Sequence, residues 1–295
     1  MSTLYGLRAK RATLERRARM MSDARAFFAA RGYLEVETPV RVKTPALEEH
    51  IDAEASGDHW LRTSPELHMK RMVCAGYERI FQIGPCFRRG ERGERHLPEY
   101  AMLEWYRTGA TCEDLVPETC ALLEAVGGGD AHLSAPPSVL TVSEAFESYA
   151  GWDPIPAFDA ERFDLDLVEK VEPALAGLPG PVVLTAFPSA RAALARCRPD
   201  DPRVADRWEL YLNGVELANA YTELTDPVEQ RRRFEACAAF RREEGRDVYE
   251  MDEAFLGALE EGMPACAGIA LGMDRFLMYL TGARDIAEVV AFADG

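Results

Sequence analysis

The 295-residue sequence contains no uninterrupted apolar run of the roughly 18 residues a membrane-spanning helix needs. Its opening stretch, MSTLYGLRAKRATLERR, lacks the apolar core of a secretory signal. Seven cysteines, at 74, 86, 112, 120, 197, 237 and 266, form no C-x-x-C pair and are odd in number. With only five scattered histidines, they make neither a zinc cage nor a disulfide framework. These absences predict a cytoplasmic chain with no membrane partner. Lysine is scarce (Lys10, Lys43, Lys70 and Lys170), and acids outnumber bases by 50 to 34, for a net charge of -16. Long phosphate backbones are normally met by a basic face, because counterion release supplies much of that affinity. The acidic balance therefore disfavours a nucleic-acid substrate. There is no internal repeat and no low-complexity tract, and the length suits one large domain or two small ones.

What is present alternates helix and strand signals. From about 12 to 31 the apolar positions Leu14, Ala18, Met21, Ala24 and Phe28 recur at helical spacing, and Gly32 suits the cap. YLEVETP (33–39) alternates Leu34 and Val36 with Glu35 and Glu37 and stops at Pro39, which predicts a strand. After a short strand at 60–64, Ser64-Pro65-Glu66 predicts a helix to about Cys74, with Ser64 as N-cap. Strands are predicted at 81–88 and 99–107, joined by a charged loop at 89–98. The Gly/Pro-rich stretch 126–137 reads as a linker, and 140–180 as a mostly helical insertion. A strand at 182–186, a hairpin at 208–223, a helix at 227–244 and a core helix at 274–282 follow. The expected fold class is α+β, an antiparallel sheet flanked by helices in a single domain over 1–295.

Three segments carry chemistry. In the strand at 99–107, Tyr100, Met102, Glu104 and Tyr106 share one face, while Ala101, Leu103 and Trp105 share the core face. A carboxylate between two tyrosines on a buried face needs a cation, so Glu104 is a candidate site residue. The loop before it gathers Arg88, Arg92, Arg95 and His96, and such a rim suits a polyphosphate, whose oxygens match the guanidinium fork.

In WELYLNGVELANAYTEL (208–224), Asn213-Gly214 signals a two-residue hairpin turn. It sets Glu209 and Glu216 diagonally on one face, about 7 Å apart. Like charges that close call for a cation, and Mg²⁺ held by carboxylates and substrate phosphates is the usual answer. Strict alternation would turn Asn219, Tyr221 and Glu223 to the apolar face. A β-bulge near Leu217–Ala218 would return them to the carboxylate face. The third segment, GMPACAGIALGMDRFLMYL (262–280), is a glycine-bearing strand feeding an apolar helix whose first turn holds Arg275, an arginine that must meet an anion.

Together these segments resemble motifs 1, 2 and 3 of the class II aminoacyl-tRNA synthetases. GYLEVETP looks like motif 1, F-R-x(7)-H-x-P-E-Y-x-M-x-E-x-Y like motif 2, and G-x-A-L-G-M-D-R like motif 3. ELANAYTEL is similar to the lysine-binding strand of lysyl-tRNA synthetases, and the resemblance runs from about 12 to 293. Those enzymes carry an N-terminal anticodon-reading OB-fold, whereas motif 1 here begins almost at the first residue. The chain therefore resembles the stand-alone elongation factor P–(R)-β-lysine ligases, as do Phe187-Pro188 through Leu194-Ala195 and AEVVAF (287–292).

The resemblance implies ATP-dependent activation of a lysine-type amino acid through an adenylate, then transfer to a lysine of elongation factor P. It implies that tRNA is not the acceptor. Arg88 would contact the α-phosphate and the substrate carboxylate; Arg95 and His96 would hold the β- and γ-phosphates, with Arg275 opposite. Tyr100 would stack on adenine, and Glu209 and Glu216 would carry Mg²⁺. Glu66 would take the amino group nearer the carboxylate, Glu104, Tyr106 and Glu223 the distal ammonium, and Asn219 the carboxylate. Motif 1 implies a homodimer burying part of 12–45. Ala270 stands where lysyl-tRNA synthetases have glycine, which implies a preference for β-lysine over α-lysine.

Three positions depart from the family. After Arg88 the usual Asn-Glu is replaced by Arg89 and Gly90, with Glu91 one place later. Either the loop shifts by one residue or backbone groups read the adenine. Leu97 also replaces the usual asparagine. The alternatives are a truncated lysyl-tRNA synthetase, another free-standing adenylate-forming amide ligase, and a non-catalytic binding module. Glu104 and Glu223 argue against an aspartate substrate, and the carboxylates at 209 and 216 with arginines at 88 and 275 argue against a mere module.

Overall fold

The fold was read from a computed structural model that describes residues 3–293; residues 1–2 and 294–295 of the expected 1–295 domain lie outside the described residues. The chain divides into two compact units, Met1–Tyr106 with Thr225–Pro264 and Gly272–Gly295, and Arg107–Leu224 with Ala265–Leu271. The first unit opens with α1 (Thr3–Ala9), α2 (Arg11–Ala30), β1 (Leu34–Glu35), β2 (Arg41–Val42), β3 (Ala55–Ser56) and β4 (His59–Leu61). It continues through α3 (Glu66–Cys74), β5 (Arg79–Phe87) and β6 (Glu99–Thr108). The second unit holds α4 (Cys112–Gly127), β7 (Ser138–Thr141), α5 (Val142–Tyr149), α6 (Ala160–Asp166) and α7 (Glu172–Leu175), then β8 (Val182–Pro188), β9 (Val204–Leu212) and β10 (Val215–Thr222). Next come α8 (Pro227–Glu243) and α9 (Glu253–Gly262) of the first unit, β11 (Cys266–Gly272), and α10 (Met273–Thr281).

The α+β class is the expected one, with a mixed sheet. In the first unit β1 pairs in parallel with β5, and β2, β4 and β3 form a small antiparallel sheet. In the second, β11-β10-β9-β8 are antiparallel neighbours and β7 joins β8 in parallel.

The core of the first unit gathers around Phe28. Its ring stacks on Phe81 at 4.7 Å and meets Tyr33 and Trp105 at 5.1 and 5.2 Å. The buried stripe of α2 is Met20, Ala24, Phe27 and Phe28, so the expected seam through Leu14, Ala18 and Met21 is corrected by part of a turn. Gly32, at φ +73°, closes that helix: its amide donates to the Ala29 carbonyl and the Tyr33 amide to the Phe28 carbonyl, both at 3.1 Å. The motif 1 strand is shorter than its alternation suggested: it spans Leu34–Glu35, the Val36 amide adds one more bond to the Phe81 carbonyl at 2.9 Å, and Leu34 is 51% exposed. Ser64 is displaced from the cap position, since α3 begins at Glu66 after Pro65, with Ser64 Oγ accepting from the Glu66 amide at 3.4 Å.

Three helices lie outside the expected elements: α1; α4, which starts with a reciprocal Thr111–Asp114 capping box, a T-x-x-D signal visible in the chain; and α9, capped by Asp252. Within 140–180 stand α5, α6 and α7, with a single π-helical turn at Leu167–Val171.

Candidate active site

In the first unit, the motif 2 loop is closed at its root by the Arg88 amide donating to the Pro98 carbonyl at 2.9 Å. Gly90, at φ +79°, makes the turn that L-residues avoid, and the Glu91 amide donates back to the Arg88 carbonyl at 3.3 Å. Glu91 thereby brings its carboxylate to 3.7 Å from the Arg88 guanidinium, one residue later than the family pattern. Farther along, Gly93 and His96 exchange backbone bonds at 3.0 and 3.3 Å, which projects Arg95 and His96 outward as exposed side chains. Arg275, on the first turn of α10, bonds His96 through its guanidinium and the Arg95 carbonyl through Nε at 3.4 Å. The neighbouring Asp274 was not among the sequence candidates. It is buried, salt-bridged to Arg17, and accepts from the Ala101 amide at 2.7 Å, so it pins α10 to β6.

Arg88 sits with its Cζ 5.2 Å from the centre of the Tyr100 ring, a cation–π distance. The Tyr100 hydroxyl donates to the Thr63 carbonyl at 2.9 Å, and burial holds its phenol well above the usual range. Glu104 is buried and accepts from the Tyr106 hydroxyl at 2.7 Å. Glu66 accepts from the ammonium of Lys70, four residues on and 0% exposed, so this carboxylate already receives an ammonium from within the chain. Glu48 was also missed. Burial raises its carboxyl from 4.5 to about 7, Glu66 and Glu91 push the same way, and Arg88 and Arg241 oppose them.

In the second unit, the Asn213-Gly214 turn has φ of 51° and 72°, as a type I′ turn requires. The register shifts between Glu216 and Ala218, which is the anticipated bulge, with Leu217 the extra residue. Glu216 lies opposite Tyr211, whereas Asn219 and Tyr221 lie opposite Glu209 and Arg207. The bulge thus places Arg207, Glu209, Tyr211, Glu216, Asn219 and Tyr221 on one face. Glu209 is gripped by Arg207 on one oxygen and by the Tyr211 hydroxyl, at 2.5 Å, on the other. Arg207 also donates to Asn219 at 3.2 Å, and the Asn219 amide donates to the Tyr221 hydroxyl at 2.8 Å. Burial raises the Glu209 carboxyl, Arg207 opposes that, and the Glu216 charge adds to the rise. Arg207 escaped the sequence reading although it stands two residues before Glu209, on the same strand face.

Glu223 follows β10, buried, its amide donating to the Cys266 carbonyl at 3.0 Å. Ala270 pairs with Asn219 across the β10–β11 ladder and is partly exposed between buried Ile269 and Leu271. Its methyl therefore belongs to the Asn219 face and not to the core.

Among the described residues no group of three or more His, Cys, Asp or Glu could hold a metal. Glu209 and Glu216 lie on one face and their charges interact, which is the donor type Mg²⁺ takes with phosphate and water, but here the Arg207 guanidinium supplies the counter-charge of Glu209.

The sequence pattern of the family "tRNA synthetases class II (D, K and N)" matches residues 6–294. The chain belongs to this family. It is 40% identical over 311 residues to the elongation factor P–(R)-β-lysine ligase of Haemophilus influenzae (strain PittGG), covering 95% of this chain and 94% of that protein. The ligase of the same name from Pasteurella multocida (strain Pm70) is 40% identical over 94% of this chain and 93% of its own length. That from Proteus mirabilis (strain HI4320) is 39% identical over 95% and 94%.

Proposed function

We propose that this class II synthetase relative is an ATP-dependent, AMP-forming ligase that activates (R)-β-lysine and transfers it to a lysine side chain of elongation factor P. The 40% identity, spanning 95% of the chain, to ligases named for that reaction carries the reading. The substrate carboxylate attacks the ATP α-phosphorus in line, pyrophosphate leaves, and the acceptor lysine amine then attacks the mixed anhydride with loss of AMP. Neither step needs a side-chain nucleophile, so positioning and charge stabilisation supply the catalysis.

In the first unit, Arg88 is assigned to the α-phosphate and the carboxylate bound to it, spreading the charge that develops on phosphorus. Arg95, His96 and Arg275 are assigned to the leaving pyrophosphate, in keeping with the Arg275–His96 contact. Tyr100 offers adenine the ring face turned away from Arg88. Glu104 with Tyr106, and Glu66, are assigned to substrate ammonium groups, Glu66 sharing its carboxylate with the Lys70 ammonium. In the second unit, Glu223 is assigned to an amino group, Asn219 to the carboxylate, and Glu209 with Glu216 to Mg²⁺. When bound, Mg²⁺ supplies neutralising charge to phosphate oxygens. Arg207, the present counter-charge of Glu209, holds that carboxylate in place for it.

Assembly as a homodimer is proposed from the first unit. α2 contributes Leu14, Arg17, Met21 and Arg25 to a cleft of about 770 Å³, and Phe292, also on its lining, is 63% exposed. ATP–pyrophosphate exchange with α-lysine, (R)-β-lysine and aspartate tests the activity. Exchange is expected with the lysine isomers and not with aspartate, and failure with every lysine isomer would overturn the proposal.

A further inference from the structure

Arg241, on α8, is 0% exposed, and all five of its N–H donors are used within the first unit. Nε donates to the Asp247 carbonyl at 2.7 Å. Nη1 donates to the carbonyls of Glu48 and Ile51 at 2.6 and 2.8 Å. Nη2 donates to the Asp52 carboxylate at 2.6 Å and to the Tyr249 hydroxyl at 3.2 Å. Two otherwise irregular segments, 48–52 and 247–249, are therefore tied to one buried guanidinium.

Both segments hold Arg89, the residue that follows Arg88. Its amide donates to the Asp52 carbonyl at 2.7 Å, and its guanidinium donates to the Asp247 carboxylate at 2.6 Å. Arg246 adds a second tie to Asp52 at 3.1 Å, and the Ala53 amide donates to the Tyr249 hydroxyl at 2.7 Å. Arg89 replaces the family's asparagine, and its side chain turns to Asp247, where it acts as an anchor.

We propose that Arg241 is a positioning residue for Arg88: it sets the two points, Asp52 and Asp247, that grip Arg89 and so fix the root of the motif 2 loop. Lysine cannot substitute, because its three donors cannot serve five acceptors in a plane. The proposal rests on the reading of Arg88 as the α-phosphate ligand. A misplacement on the order of 1 Å at a reacting group costs up to about a hundredfold in rate, so a loosened root should show in the use of ATP and of the amino acid.

The test compares wild type, Arg241→Lys, Arg89→Ala and Asp247→Asn as full-length chains. Arg241→Lys is expected to raise the KM for ATP about tenfold, and the KM for the amino acid with it, because Arg88 is assigned to both ligands. Arg89→Ala and Asp247→Asn alter a pair whose side chains are 41% and 48% exposed, where an ion pair adds at most about 1 kcal/mol to stability, and each should raise the ATP KM about threefold. Combined with one another they should do no more than either alone, because they break one contact. Amide hydrogen exchange supplies the activity-independent readout: residues 88–93 should lose protection in each variant while α4 keeps its own.

Unchanged ATP KM and unchanged protection at 88–93 in Asp247→Asn and Arg89→Ala would overturn the anchor, even if Arg241→Lys failed to fold. Protection lost throughout the chain, α4 included, would make Arg241 a general structural residue and overturn it too. If wild type exchanges with no lysine isomer, the functional reading fails, and the protection pattern alone decides the anchor.

Discussion

Ala270 and Glu48 show how much a single position can carry in this chain. Ala270 faces Asn219 from a strand whose flanking residues are buried, so one methyl group is the difference between this surface and the glycine of lysyl-tRNA synthetases. A methylene-sized misfit is worth about 1–3 kcal/mol, or roughly 10–200-fold. A preference for β-lysine over α-lysine is therefore expected, without exclusion of the latter. Ala270→Gly should narrow the ratio of the two kcat/KM values; equal ratios in both proteins would place the methyl outside the selectivity. Glu48 makes a prediction about pH. Its carboxyl rises from 4.5 to about 7 on folding, chiefly through burial, so the native state binds the proton more tightly than the unfolded chain does. Stability should then fall as pH rises through the window from 4.5 to about 7, by no more than about 3 kcal/mol. Urea unfolding at pH 5 and pH 8 should show that loss in wild type and a flatter profile in Glu48→Gln. The sequence shows Glu48 only as one of two adjacent acids, because its burial beside Arg88 and Arg241 comes from segments far apart in the chain.

At the scale of the element, the β9–β10 hairpin is where sequence and structure agree most closely. Asn213-Gly214 dictates the turn, and the conflict between an apolar face and three polar residues dictates a bulge, since burying Asn219, Tyr221 and Glu223 there without partners would be costly. The structure adds a constraint that strand alternation does not contain. A Cβ on Gly214 would lie 2.6 Å from the Glu172 carbonyl and 2.9 Å from Ala176, so α7 packs directly on the turn. Gly214→Ala combines that clash with a positive φ of 72° and should cost about 1–3 kcal/mol, read as a lowered Tm. Retention of the wild-type Tm would show that the turn can withdraw from α7. Motif 1 was the least legible element: its alternating pattern outruns its ladder, because only Leu34 and Glu35 pair with β5 and the last bond to it comes from the Val36 amide.

For the whole molecule, the proposed homodimer is expected to sediment at twice the chain mass at micromolar concentration, and a monomer there would remove the assembly from the proposal. A dimer weakened by Met21→Glu, with the Tm little changed, would place the contact on the cleft face of α2. The sequence alone determined the α+β class, the hairpin and its bulge, and most of the charged candidates, because periodicity, turn chemistry and the cost of burying charge are local and act wherever those residues stand. Tertiary structure alone decided which charges meet: Arg207 on Glu209, Lys70 on Glu66, Asp274 between Arg17 and β6, and Arg241 across two loops. Two of those contacts lie within four residues of one another in the chain, yet even they needed the fold. A long side chain has many rotamers in solution, and only the removal of water around it selects the single partner that compensates its charge.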